Sequence, residues 1–139
     1  MDDVAKERVE NRAIDYATQY LEKQGYLVEN VSRGKRANSE HNGYDLLARK
    51  KGNADLRIEV KGCSRPWGIP DPYATEFKDG QLVADFLYVV YFLKDSAPQL
   101  CAIPREAFKP DDIVVKWGYR IRSGFKNKKS LEPYMRNRE

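Results

Sequence analysis

One heptapeptide limits what this chain can fold into more than any other stretch. In "LRIEVKG", residues 56–62, Leu56, Ile58 and Val60 alternate with Arg57, Glu59 and Lys61, and Asp55 extends the charged row. A period of two places the apolar set on one side of a β-strand and the charged set on the other. Just upstream, "YDLLARK" (44–50) is a second strand, and its Leu46-Leu47-Ala48 run suggests burial on both faces. "KGNA" (51–54) supplies turn residues between them, so 44–61 is expected to form a hairpin. The chain must therefore build a sheet around this hairpin.

The remaining elements follow from the same patterning. Residues 3–24 carry Val9, Ala13, Ala17, Tyr20 and Leu21 at spacings of three and four, with Ile14 beside them, and Gly25 is placed to cap that helix. "YLVENVS" (26–32) is a first strand, and 33–43 is a polar loop. The three prolines of 63–73 rule out a regular element there. Residues 74–85 have a weak helical pattern, 86–93 form a buried strand, and 100–104 form its partner. A single turn is expected at 105–108 and a strand at 113–122. With 139 residues and no internal repeat, the chain is expected to be one domain, 1–139. Its class is α/β (α+β), with a leading helix on a sheet.

Composition narrows the function classes. An apolar fraction of 41% with 33% charged residues describes a globular chain, not a disordered one. The longest apolar run, 86–93, is too short for a membrane helix of about 20 residues. Cys63 and Cys101 form neither a disulfide framework nor a zinc set, and the N-terminus is too charged for a signal peptide. A reducing, cytoplasmic setting with no membrane is expected. Charge is polarised: residues 116–139 hold eight Lys/Arg against two Asp/Glu, which leaves the first 115 residues at −2 of the net +4. A basic tail containing Trp117, Tyr119 and Phe125 suits nucleic acid, through phosphate contacts and base stacking. The same aromatics equally suit a core or a dimer interface.

Asp45, Glu59 and Lys61 carry the chemistry. Glu59 and Lys61 leave the same sheet face, and the short hairpin brings Asp45 across from Glu59. Two carboxylates held close on rigid strands need neutralising. Mg²⁺ does this with one or two carboxylates, waters and substrate phosphate oxygens. Such an ion polarises a phosphodiester and lowers the pKa of water, and Lys61 beside it can steady negative charge. Glu10 lies in phase with Ile14, Ala17 and Leu21, one turn beyond the apolar stripe, so it too can face the sheet. It can as well meet solvent, or pair with Arg12 or Lys6. On these residues alone, a salt-bridged exposed face, with Arg57 pairing to Asp55 or Glu59, is the plainer account.

A wider pattern shifts that balance. "GYDLLARKKGNADLRIEVKG" (43–62) resembles the hairpin of PD-(D/E)XK, restriction-endonuclease-like nucleases: an acidic residue, a spacer, then (D/E)-x-K, here Asp45, thirteen residues, and Glu59-Val60-Lys61. Tyr44 stands where the motif's name has proline. Together with "RVENRAIDYATQYLEKQGYLVENVS" (8–32), the hairpin is similar to the branch named for the C-terminus of the plant protein NO VEIN, over about residues 5–95. The resemblance implies a restriction-endonuclease-like core, a central mixed β-sheet flanked by helices. It implies Asp45 and Glu59 as ligands for Mg²⁺ or Mn²⁺, Lys61 as the residue that positions or activates water, and Glu10 as a member of the metal's outer shell. The "TEF" at 75–77 matches a further family segment only loosely.

The expected activity is therefore metal-dependent hydrolysis of nucleic acid, DNA first, with Glu10, Asp45, Glu59 and Lys61 as catalytic residues. The alternatives are a catalytically inactive nuclease-fold module that binds nucleic acid or a protein, and a Holliday-junction-type resolvase working as a homodimer. A helicase or ATPase partner supplied in trans is implied by the family's usual company. Arg33, Lys35 and Arg36 in the first loop, and Lys126, Lys128 and Lys129 in the tail, are candidate phosphate contacts. His41 and Gln81, the latter on the weak helix, are candidate accessory groups, and each is as readily an exposed polar residue.

Overall fold

The computed structural model describes residues 3–32, 43–70, 77–78, 81–109, 112–115, 119–121 and 123–136. Arg33, Lys35, Arg36 and His41, and residues 75 and 76, lie outside them. Helix α1 (Asp3–Lys23) is the long amphipathic element that the stripe predicts. Ala13, Ile14, Ala17 and Leu21 are buried, while Val9 and Tyr20 are half-buried. The helix ends in a Schellman turn at Gly25. The Tyr26 amide donates to the Leu21 carbonyl at 3.1 Å, the Gly25 amide to Glu22 at 3.0 Å, and Gly25 has a φ of 95°.

Among the described residues, six strands form one sheet in the order β1 (Leu27–Asn30), β2 (Leu46–Arg49), β3 (Leu56–Cys63), β6 (Phe86–Tyr91), β7 (Gln99–Pro104), β10 (Met135–Arg136). All neighbours are antiparallel except β3 and β6, which run parallel with Glu59 beside Leu87 and Lys61 beside Val89. The mixed sheet agrees with expectation. Flanking helices on both sides do not appear among the described residues: α1 covers one face, and the other is covered by loops, short turns and the tail. No helix among the described residues is long and apolar enough to cross a membrane.

The crossover from β3 to β6 holds a correction. In place of the helix expected over 74–85, a small hairpin pairs β4 (Phe77–Lys78) with β5 (Gln81–Leu82). Lys78 opposes Gln81, so two residues join the strands, and the sequence at those positions is Asp-Gly. That dipeptide is among the strongest two-residue hairpin signals, and it overrides a weak helical period.

The tail is the second departure. The pair β8 (Ile113–Val115) and β9 (Tyr119–Ile121) forms a separate ribbon, and α2 (Lys128–Leu131) is a single capped turn. Asn127 caps α2 by accepting from the Ser130 amide at 2.9 Å. Ile121, Phe125 and Leu131 are buried, so part of the tail is core.

Two cores result. Against α1 lie Leu46, Ala48, Ile58, Val60, Tyr88, Val90, Leu100 and Ala102. On the opposite face, Cys63, Leu87, Val89, Tyr91, Cys101 and Ile103 pack with Ile69, Leu82 and the tail residues. Gly62 lets α1 approach the sheet: a Cβ there would stand 2.6 Å from Val9 Cγ1 and 3.2 Å from the Val9 carbonyl oxygen.

Candidate active site

Strand alternation decides which face each group reaches. Ile58 and Val60 pack under α1, so Arg57, Glu59, Lys61 and Cys63 leave the other face of β3. On β2, Leu46 and Ala48 pack under α1, and Asp45, the residue before that strand, falls on the Glu59 side. The β2–β3 pairing extends to Leu46 opposite Ile58. Beyond that pair Asp45 takes over the contacts. Its amide donates to the Ile58 carbonyl at 2.9 Å, and its carbonyl accepts from the Val31 amide at 2.9 Å. Its Oδ2 accepts from the Val60 amide at 2.9 Å. A carboxylate thus continues the ladder and is held rigidly beside Glu59.

Glu59 is 0% exposed, Asp45 0% and Lys61 5%. Lys61 Nζ lies 3.3 Å from Glu59 Oε2. This burial is what the alternating pattern did not reveal, for a charged row reads as wetted. Tyr44 and Trp67, both half-buried, pack with Ile69 and Leu82 on this face. Removing two carboxylates and an ammonium from water costs several kcal/mol per ion, and mutual attraction returns only part of it. The neighbouring strands show the cheaper solution at the same level: Leu87 and Val89 on β6, Ile103 and Cys101 on β7.

The oxygens of Asp45 and Glu59 are the hard donors that suit a divalent cation such as Mg²⁺. Among the described residues, no group of three or more Asp, Glu, His or Cys is placed to share one ion. Glu10 is half-buried on α1, on the other side of the sheet, and it follows Val9, whose side chain lies over Gly62. Gln81 is exposed on β5, and no helix carries it. Lys128 and Lys129 are exposed on α2, and Lys128 stands 3.8 Å from Glu132. Lys126 is half-buried just before them. These cations follow the ribbon and precede β10, which is the sheet edge farthest from β2.

A second charged cluster, outside the Asp45–Glu59–Lys61 pattern, lies on the same face. Asp85, just before β6, accepts the Arg57 amide at 2.8 Å and the Arg105 guanidinium at 2.9 Å, with Arg57's guanidinium at 3.4 Å. Burial pushes the Asp85 carboxyl up, but the Arg57 hydrogen bonds and the two cations outweigh it and bring it below its ordinary value. The Arg57 and Arg105 side chains remain 40% and 35% exposed. The available signal was Arg57's place in the row of Glu59 and Lys61; Asp85 lies 28 positions away and gave none. The two cysteines are free and buried, and burial pushes the Cys101 thiol up to about 12, which makes it inert as a nucleophile.

Comparison with known proteins accords with the hairpin and its helix. The family described as Protein NO VEIN, C-terminal, matches residues 9–103, from α1 through nearly all of β7, and so takes in Glu10, Asp45, Glu59 and Lys61. A search of curated proteins found no match. Over more than half its length, and over every residue of the candidate site, this chain belongs to the family of the NO VEIN C-terminal domain.

Proposed function

We propose that the protein is a metal-dependent nuclease of the PD-(D/E)XK type that hydrolyses phosphodiester bonds, with DNA the first substrate to test. The observation that carries this is a buried Asp45–Glu59–Lys61 set on adjacent strands, kept at a face where the neighbouring strands use leucine and valine. Asp45 and Glu59 would hold Mg²⁺ or Mn²⁺. When bound, the ion would polarise the scissile phosphate and lower the pKa of an attacking water. The Val60 amide fixes the Asp45 carboxylate, so little reorganisation is needed on loading. Lys61, already 3.3 Å from Glu59, orients the water or holds negative charge as it develops. Arg57 stands two strand positions before Glu59, about 6.6–6.8 Å along the same face, where it meets an adjoining phosphate. Because Asp45 and Glu59 are closed to solvent, this face has to open before a strand can enter.

The test is a cleavage panel of single- and double-stranded DNA and RNA with Mg²⁺ or Mn²⁺. Asp45→Ala and Lys61→Ala should each abolish cutting, and cutting that survives both changes would remove the assignment. The closed Lys61–Glu59 pair favours one second reading, a module that binds nucleic acid without cleaving it. Retention of nucleic acid with no cleavage under either metal would establish that one.

A further inference from the structure

On the opposite side of the sheet, a cavity of about 240 Å³ opens between the end of α1 and the strands. Tyr20, Tyr26, Phe86 and Tyr88 line it, and Lys50 and Arg136 are its cations. Among the described residues, none of the lining is acidic. We propose that this cavity binds one nucleotide unit, an aromatic base carrying a phosphate, independently of the Asp45–Glu59–Lys61 site.

Each part of the lining has a role in that fit. The volume falls below the ~300–1,000 Å³ typical of sites for drug-sized ligands, so it takes one ring system and not an extended chain. Tyr88 is buried, with Tyr20 and Phe86 set edge-on to it at 6.0 Å each. The half-buried rings of Tyr20 and Tyr26 are open to stack on a base, and the phenols offer donors and acceptors to its edge. Burial raises the Tyr88 hydroxyl's pKa, so it stays a donor. Tyr26 is brought to the wall by the Schellman turn, and Lys50 Nζ lies 5.2 Å from its ring centre. Lys50 also donates to the Gln24 carbonyl at 2.8 Å, which stations the cation at the mouth. Arg136 arrives from β10, where it pairs with Leu100 on the α1 side of the sheet. An aromatic cage would ordinarily suit a cationic ligand. The described lining holds two cations and no acid, which disfavours a cationic ligand and selects an anionic group on the ring.

The experiment titrates the full chain with AMP in EDTA, so that no metal occupies the other site, and follows backbone amide shifts. AMP should saturate, shifting residues around Gln24, Tyr26 and Arg136, while adenosine and inorganic phosphate each bind more weakly. Lys50→Ala, an exposed change that leaves the fold intact, should weaken AMP about tenfold, the scale of one charge-assisted contact. Tyr26→Ala should weaken it comparably through lost stacking. A 5′-phosphorylated trinucleotide that binds tighter than AMP assigns the cavity to strand ends, and weaker binding assigns it to free nucleotides. Absence of saturation by AMP, or binding indifferent to both variants, overturns the proposal. The titration excludes metal and reads the cavity alone, so failure here and failure of cleavage are separate results.

Discussion

Two charged clusters share one face of the sheet and are built on opposite terms. Asp85 with Arg57 and Arg105 is half-open to solvent, and its carboxylate joins the starts of β3 and β6 to the end of β7. Backbone bonds run in the same places: the Asp85 amide to the Arg57 carbonyl at 2.7 Å, and the Arg105 amide to the Asp85 carbonyl at 2.9 Å. Holding three strands in line explains it. The Asp45–Glu59–Lys61 set is closed to water; Asp45 ties strands together through its backbone bonds to Ile58 and Val31 and through Oδ2 to the Val60 amide, whereas the Lys61–Glu59 pair lies within one strand. Stability alone would not retain Glu59 and Lys61 there, since apolar residues of similar volume usually do as well or better. A cluster that structure accounts for and a cluster that it does not can thus be told apart by what replacement does.

The largest effect expected is therefore a split between stability and activity at Lys61 and Glu59. Lys61→Met alone should abolish cleavage and destabilise the fold by about 3–5 kcal/mol, because the buried Glu59 loses the ammonium 3.3 Å from it. Glu59→Leu combined with Lys61→Met should restore most of that stability, within about 1 kcal/mol, while cleavage stays absent. Urea denaturation beside the cleavage panel reads both quantities. If the double variant is no more stable than Lys61→Met, the pair is structural and the contrast with Asp85 collapses.

Next in size is Gly62→Ala, which asks whether the close approach of α1 fixes the site strand. An added Cβ meets Val9 Cγ1 at 2.6 Å and the Val9 backbone at 3.2 Å, so the helix must shift. Overpacking of this kind costs about 1–3 kcal/mol. The melting temperature should fall, whereas Gly52→Ala, with nothing within 4 Å of the new Cβ, loses only the fit of its φ of 85°.

How far these features could be read in the sequence follows from the range of the signals involved. The α1 stripe, the Gly25 cap and the β2–β3 hairpin are local, with partners within a few residues, and all were legible. So was the common face of Asp45, Glu59 and Lys61, because one short turn and a period of two determine it. Their burial was not legible. Periodicity names the side from which a residue leaves, not what covers that side, and here Ile69 and Leu82 from the crossover help to cover it. The Arg57–Asp85 bond spans 28 positions, and β10 is two residues long, too short for any period. The helix expected over 74–85 failed for a local reason, since Asp79-Gly80 outweighs the weak helical pattern of the residues around it.

Asp85 comes third. Asp85→Asn keeps the shape and removes the charge that two guanidinium groups share, and a cost of about 1.5–3 kcal/mol is expected from charge-assisted hydrogen bonds. Acid provides the reversible form of the same test. The Asp85 carboxyl titrates below its ordinary value of 3.8 in the fold, so the unfolded chain takes up its proton first as pH falls. Its contribution is complete above the unfolded value and disappears as pH drops through the folded one. Between pH 5 and 2, the wild type should therefore lose more stability than Asp85→Asn does. Equal slopes would show that the carboxylate holds nothing.

The smallest effect belongs to a third charged group, which extends the comparison to full exposure. Arg49 on β2 reaches Glu29 on β1 and Asp55 before β3, both at 3.4 Å, and all three side chains are more than half exposed. Exposed pairs of this kind are worth about 0–1 kcal/mol, since water already solvates the charges and salt screens them. Arg49→Ala should shift the urea midpoint barely, and the shift should vanish in 1 M salt. The Asp85 variant should keep most of its cost in the same salt, because a partly buried pair is screened less. The order Lys61, Asp85, Arg49 then tracks burial alone, while only Lys61 tracks activity. A loss above about 2 kcal/mol at Arg49 would mean that the β1 edge depends on its surface charges, and burial would cease to rank the three.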